Sequence, residues 1–409
     1  MNRRALATAA TIVLAGVWGV AAYLLWQSKV PSSLPLPHID TASLFNAHEL
    51  HAADSYDHGA SLLWLFGTVI EIVVFAIYAW WGPGFVRESA AGPIGTGMLL
   101  GMLGFSLLWV AELPSTVLGV WWDRRHHVSN VGYVSSILGG WLALGLGFIS
   151  LCVALAIVMG LARSVGRWWW VMGAPVFVGI ALLFAFVSPY LETTHPVFDP
   201  TLQADVTQLE AKAHVGHVPI RIVDVSSDTS LPNAETEGIG VSRRVVIWDT
   251  LLDGRFTNGE IRVVIAHELG HVKRNHIWRS VGWYALFAFP GAYLIGRLTR
   301  RRGGMGEPAA IPLGIFVLVV LNLAALPIQN MITRHMESEA DWLALQTTRD
   351  PKDANDLFKT FVPTALSNPN PPTWEYLFLE NHPTIDQRIA MVETWQSRYA
   401  TSASAAHIP

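Results

Sequence analysis

Apolar residues gather in seven long runs separated by polar breaks, at roughly 5–26, 60–82, 94–119, 138–162, 168–187, 278–296 and 310–330. A helix rises 1.5 Å per residue, so about twenty apolar residues cross the hydrocarbon core of a bilayer. Each run predicts one membrane-spanning helix. Trp80 and Trp81, Trp121 and Trp122, and Trp168 to Trp170 stand at run ends, where membrane interfaces favour the indole ring. The first run follows Met1-Asn2-Arg3-Arg4 and passes into Gln27-Ser28-Lys29. Without a small-residue cleavage site it reads as an uncleaved span. Pro290-Gly291 interrupts the sixth run.

This pattern divides the chain into five spans with short loops (1–187), a polar block (188–277), two further spans (278–330) and a helical C-terminal segment (331–400). In the polar block, Val241 to Ile247 alternates apolar and polar residues before Trp248-Asp249, which predicts a strand. The small polar tail 401–409 is expected to be disordered. The expected fold class is predominantly α, a polytopic membrane protein with about seven spans and a small β element.

Composition agrees. Charged residues are 14% of the 409 and hydrophobic ones 52%, against about 25% charged in an ordinary soluble protein, which excludes a simple soluble enzyme. The net charge of −4 supplies no basic excess for nucleic acid. A single cysteine, Cys152, cannot form an intramolecular disulfide. Glu71 and Glu112 lie in or near the apolar runs, where an acid is costly and implies a polar interior position. Glu112, followed by Leu113-Pro114, fits the interface equally well.

Residues 263–276 read VVIAHELGHVKRNH. On a helix, His267 and His271 project from one face a turn apart, a spacing that lets both imidazoles reach one zinc ion. Glu268 stands beside them as a base for water. The third ligand is a His, Glu or Asp brought near by the fold. Two spans separate His271 from TRHMESEAD, residues 333–341, so both segments return to the same side of the membrane. Glu337 and Asp341 share a helical face there, whereas Glu339 points elsewhere. Glu337 as ligand, with Asp341 holding a ligand histidine, is chemically coherent. His276 falls about 140° off the zinc face if the helix continues and is read as structural or interfacial rather than as a ligand.

HELGHVKRNH, the ExxAD block preceded by Arg334, and the later His382-Pro383 followed by Arg388 resemble the membrane zinc peptidases of the type I CAAX prenyl protease family and their bacterial heat-shock relatives. The resemblance spans most of the chain. It implies a zincin-like metallopeptidase module with one Zn2+ on His267, His271 and Glu337, and Glu268 as general base. It further implies that His382 steadies the oxyanion and that Asp341, Arg334 and Arg388 support the site. Asn233 and Ala234 would lie beside an extended peptide substrate paired with a strand. Seven-span relatives enclose an intramembrane chamber, and their substrates are prenylated peptides or membrane proteins. Departures are Thr333 where Ser is usual, Glu235 where an aromatic residue is common, and Asn381 before His382. Glu235 puts the substrate pocket, not the metal, in question.

Two other readings stand beside a peptidase: a transporter or channel, suggested by the spans and their acids, and a zinc-binding membrane protein without turnover. Nine arginines (Arg3, Arg4, Arg87, Arg163, Arg167, Arg297 and Arg300 to Arg302) lie on one set of short loops, against Lys29, Arg124 and Arg125 on the other. That bias favours a cytoplasmic N-terminus and a site on the outer side. The resemblance implies a cytosolic site in the eukaryotic enzyme, so both orientations stay open.

Overall fold

The computed structural model describes residues 3–85 and 91–405. Arg87 of the loop count lies outside the described residues. The chain opens with α1 (Arg3–Trp26), a short α2 (Thr41–Leu44), α3 (Ala47–Trp81), α4 (Gly92–Arg125), α5 (Tyr133–Val165) and α6 (Trp169–Val187). A mixed segment follows, with β1 (His195–Pro196), α7 (Pro200–Ala213), β2 (Ile220–Val223), β3 (Ala234–Glu237), β4 (Arg244–Trp248) and α8 (Asn258–Arg274). Two long helices, α9 (His276–Leu298) and α10 (Ile311–Thr348), lead to α11 (Pro351–Ala365), α12 (Thr373–Phe378) and α13 (Ile385–Ala405). The expected tail overlaps the end of α13, and 406–409 lie outside the described residues.

All seven apolar runs are helical, on α1, α3, α4, α5, α6, α9 and α10. Among the described residues, four stretches are long and apolar enough to cross a membrane: Ala47–Phe85, Gly92–Arg125, Tyr133–Tyr190 and Pro308–Thr348. The third joins α5 to α6 through a turn at Gly166, whose φ of 60° suits glycine. Leu142, Leu146, Leu183 and Phe184 are largely exposed, as outward faces in lipid are. The protein is thus an integral, multi-pass membrane protein, predominantly α with one small sheet. Pro290 does not break α9, which runs on through it.

Two apolar cores form. One lies among the membrane helices, around Phe75, Tyr78, Met159, Trp169 and Ile311. The other joins the sheet, α8, the end of α10, α11 and α13, with Ile265, Leu269, Leu345 and Ile389 at its centre. Ile39, Phe45 and Ala53 belong to this second core. The segment expected to be a short loop before the second span is therefore part of the polar module, and α3 begins at Ala47, well ahead of the apolar run. Asn46 starts it with a capping box to Glu49.

The sheet order is β1-β2-β4-β3. β2 and β4 are parallel, while β3 pairs antiparallel with β4, Ala234 opposite Ile247. The strand expected at 241–247 begins only at Arg244, after a 3-10 turn at Gly240–Ser242, and lies inside the sheet. The edge next to α8 is β3.

Candidate metal centre

Helix α8 starts where Thr257 and Glu260 cap each other's backbone N–H groups. Its apolar face, with Val264, Ile265, Leu269 and Val272, is buried. This fixes the helix's rotation and turns His267 and His271 toward α10. That helix has 38 residues and is about 57 Å long, well beyond a hydrocarbon core. Its apolar first half sits among the membrane helices, and its second half carries Glu337, Glu339 and Asp341 to α8. The boundary expected at 330 is no structural break.

His267, His271 and Glu337 each offer a ligand atom within 4.8 Å of the others, a group that could hold a metal ion. His267 Nε2 lies 3.0 Å from His271 Nε2 and 3.1 Å from Glu337 Oε2. His271 Nε2 is 3.5 Å from the same oxygen. The outer nitrogens are engaged: His267 Nδ1 is 2.9 Å from Asp341 Oδ1, and His271 Nδ1 is 2.8 Å from His276 Nδ1. With protons on the outer nitrogens, both Nε2 lone pairs and a carboxylate oxygen face one another. Acceptors crowded in this way are reconciled by a proton or a cation between them, and two imidazoles with one carboxylate suit zinc. Burial alone would lower the His267 pKa, but hydrogen bonds and charge from Asp341 and Glu337 outweigh it and raise it to about 10. The pocket attracts positive charge.

Asp341 is clamped by Arg388, whose Nε and Nη2 donate to it at 2.9 and 2.6 Å; the guanidinium also stacks over Phe358. Glu268, 5% exposed, sits beside the metal group. Thr236 of β3 donates its hydroxyl to Glu268 Oε2 at 2.8 Å and to the Glu268 backbone carbonyl at 3.0 Å. His382 Nε2 is 3.2 Å from Glu337 Oε2, and its Nδ1 is 2.7 Å from Asn381 Oδ1. Ala234 opens β3 and Asn233 stands just before it, its carbonyl accepting from Trp248 N–H.

Arg334 does not touch a metal-group residue as its pairing with Asp341 and Arg388 implied. It donates to the carbonyls of Tyr376, at 2.6 Å, and Glu380, so it grips the backbone just before His382. His276 also departs from expectation. The helix does not continue: Asn275 adopts a left-handed conformation (φ 52°), the chain turns at once into α9, and His276 folds back onto His271. Thr236 is a contact that sequence reading missed. Strand alternation puts it on one face with Ala234, but nothing in the chain announces that this face meets Glu268.

Residues 196–396 match the family model described as Peptidase family M48. A Bacillus subtilis protein described as an uncharacterized metalloprotease, YhfN, is 25% identical across 91% of this chain and 92% of its own length. A CAAX prenyl protease 1 homolog of Oryza sativa is 28% identical over 56% of this chain and 56% of its own. A Protease HtpX homolog of Ligilactobacillus salivarius is 26% identical over 53% and 84%. The crystal structure of S. mikatae Ste24p shares the fold, with a TM-score of 0.71 over 92% of this chain and 96% of that one at 17% identity.

Proposed function

From the match of residues 196–396 to the peptidase family M48 model, preceded by five apolar helices and containing two more, we propose that this protein is a membrane zinc metalloendopeptidase that hydrolyses peptide bonds in extended or membrane-associated polypeptides. The observation that carries this reading is the convergence of His267 Nε2, His271 Nε2 and Glu337 Oε2 beside the buried carboxylate of Glu268.

His267, His271 and Glu337 would hold the ion. Zinc, when bound, polarises a carbonyl and brings the pKa of water toward 7. Glu268 takes the proton of the attacking water and delivers it to the leaving amine. Thr236 holds one carboxylate oxygen of Glu268, which steadies the base. His382 donates to the oxyanion of the tetrahedral intermediate; Arg334 fixes the segment that carries it. Asp341, held by Arg388, orients the His267 ring. The outer edge of β3, from Asn233 and Ala234, supports an extended substrate strand by backbone hydrogen bonds.

The seven apolar helices cross the bilayer seven times in this reading, with the metal centre on the face opposite the N-terminus. Glu71 and Glu112, half-buried on the packed helices α3 and α4, fit a wet chamber among the helices.

Zinc content and cleavage measured together test the proposal. Wild-type protein in detergent is expected to hold one zinc per chain and to cut quenched peptides in a chelator-sensitive way. Glu268→Gln should keep the zinc and lose cleavage by about 10²-fold or more. Wild type without zinc, or full activity in Glu268→Gln, overturns it.

A further inference from the structure

The two histidines of the metal group are backed in different ways. Behind His267 stands a carboxylate, Asp341, locked by Arg388. Behind His271 stands another imidazole, His276, with the two Nδ1 atoms 2.8 Å apart. Two ring nitrogens at that distance share one proton, so one donates and the other accepts. When His271 presents its Nε2 lone pair to an ion, its proton sits on Nδ1 and must be the one donated. His276 Nδ1 then accepts, which puts the His276 proton on Nε2, 3.1 Å from Glu339 Oε2. One set of tautomers satisfies the whole chain of contacts.

Glu339 is 0% exposed yet well anchored. Arg279 Nη1 donates to it at 2.6 Å, Arg274 Nε at 2.8 Å and the Lys29 backbone N–H at 2.5 Å. Arg279 also donates to the carbonyls of Leu25 and Gln27 at the end of α1. The left-handed turn at Asn275 folds His276 over His271, and the (i, i+2) offset of Glu339 from Glu337 turns its carboxylate away from the metal group toward that imidazole.

We propose that His276, held by Glu339, is a positioning residue of the metal centre: it fixes the ring orientation and tautomer of His271 so that Nε2 faces the ion. This deepens the zinc reading and rests on it. The arrangement is the indirect counterpart of the Asp341 arm, with an imidazole inserted between ligand and carboxylate, and outer partners of this kind set metal affinity.

The test compares wild type with His276→Ala, His276→Phe, His276→Gln and, as a control, His335→Ala, all in detergent. His335 is a nearby histidine whose Nε2 meets the Trp26 carbonyl instead. Zinc affinity is measured by chelator competition, the ligand field by the visible absorption of the cobalt-substituted protein, and folding by melting of the metal-free form. His276→Ala and His276→Phe should bind zinc about 10- to 100-fold more weakly, with an altered cobalt spectrum and an unchanged metal-free melting point. His276→Gln, which offers both an acceptor and a donor, should recover most of the affinity, and His335→Ala should match wild type. If His276→Ala and His276→Phe do not fold, His276→Gln decides: wild-type-like affinity and spectrum support the role, and Ala-like loss refutes it. Tight zinc and an unchanged spectrum in His276→Ala would overturn this proposal alone. Absence of zinc from wild type would overturn the zinc reading, and this inference with it.

Discussion

Gly270 of α8 packs directly on the backbone of Ala340 in α10: a Cβ at Gly270 would lie 3.2 Å from the Ala340 Cα, 3.2 Å from its carbonyl oxygen and 3.4 Å from Leu343 Cβ. The contact lies between His267 and His271 on one helix and between Glu337 and Asp341 on the other. Missing side-chain volume at this point sets how near the two donor sets approach.

Gly270→Ala should therefore be harmful despite the better helix propensity of alanine, worth about 1 kcal/mol. Crowding backbone against backbone costs about 1–3 kcal/mol and acts on the interhelical distance. The expected outcome is a lower melting temperature together with weaker zinc binding. A variant that melts higher and binds zinc as tightly would show that the spacing is not set here.

Thr236→Val removes the hydroxyl that holds Glu268 while keeping the strand residue's shape. A hydrogen bond to a charged acceptor contributes about 1.5–3 kcal/mol. We expect kcat to fall about tenfold or more, with zinc content and KM unchanged, and Thr236→Ser to restore most of the rate. Unaltered kcat in Thr236→Val would remove this residue from the account of the base.

Glu375, only 1% exposed, lies against the carboxyl of Asp57 and the hydroxyl of Ser61. Burial first, and then the charge of Asp57, raises its pKa from 4.5 to about 7. The folded protein thus keeps this proton over a range where the unfolded chain has released it. The contribution to stability is full below 4.5 and is lost as pH rises through about 7. Melting temperatures of wild type should fall between pH 5 and pH 8, and Glu375→Gln should flatten that slope. An equal slope in both proteins would contradict the assignment.

The HELGH motif and the apolar runs were legible because each depends on local spacing: one face of one helix, or the length needed to cross a bilayer. Glu337 and Asp341 were legible for the same reason, once two spans were seen to return the chain to one side. The role of His276 was not. Extending helical periodicity through Asn275 turned it away from the metal, and a single left-handed residue reversed that result. The central place of β4, the edge place of β3 and the burial of Ile39 and Phe45 depend on pairings between distant segments, which no local period encodes. Arg334 shows the same limit: its motif put it beside the ligand in sequence, while its side chain reaches carbonyls more than forty residues away.

The bond between Arg279 and the end of α1 spans 254 residues, and Arg388 closes on Asp341 from 47 residues downstream. Helix α1 is thus tied to α9, and the ligand-bearing part of α10 to α13, when the scaffold around the histidines is closed. A chain extended only as far as the HELGH helix lacks Glu337, Asp341, His382 and Arg388, so the group of side chains around His267 and His271 comes together only once α10 and α13 are in place.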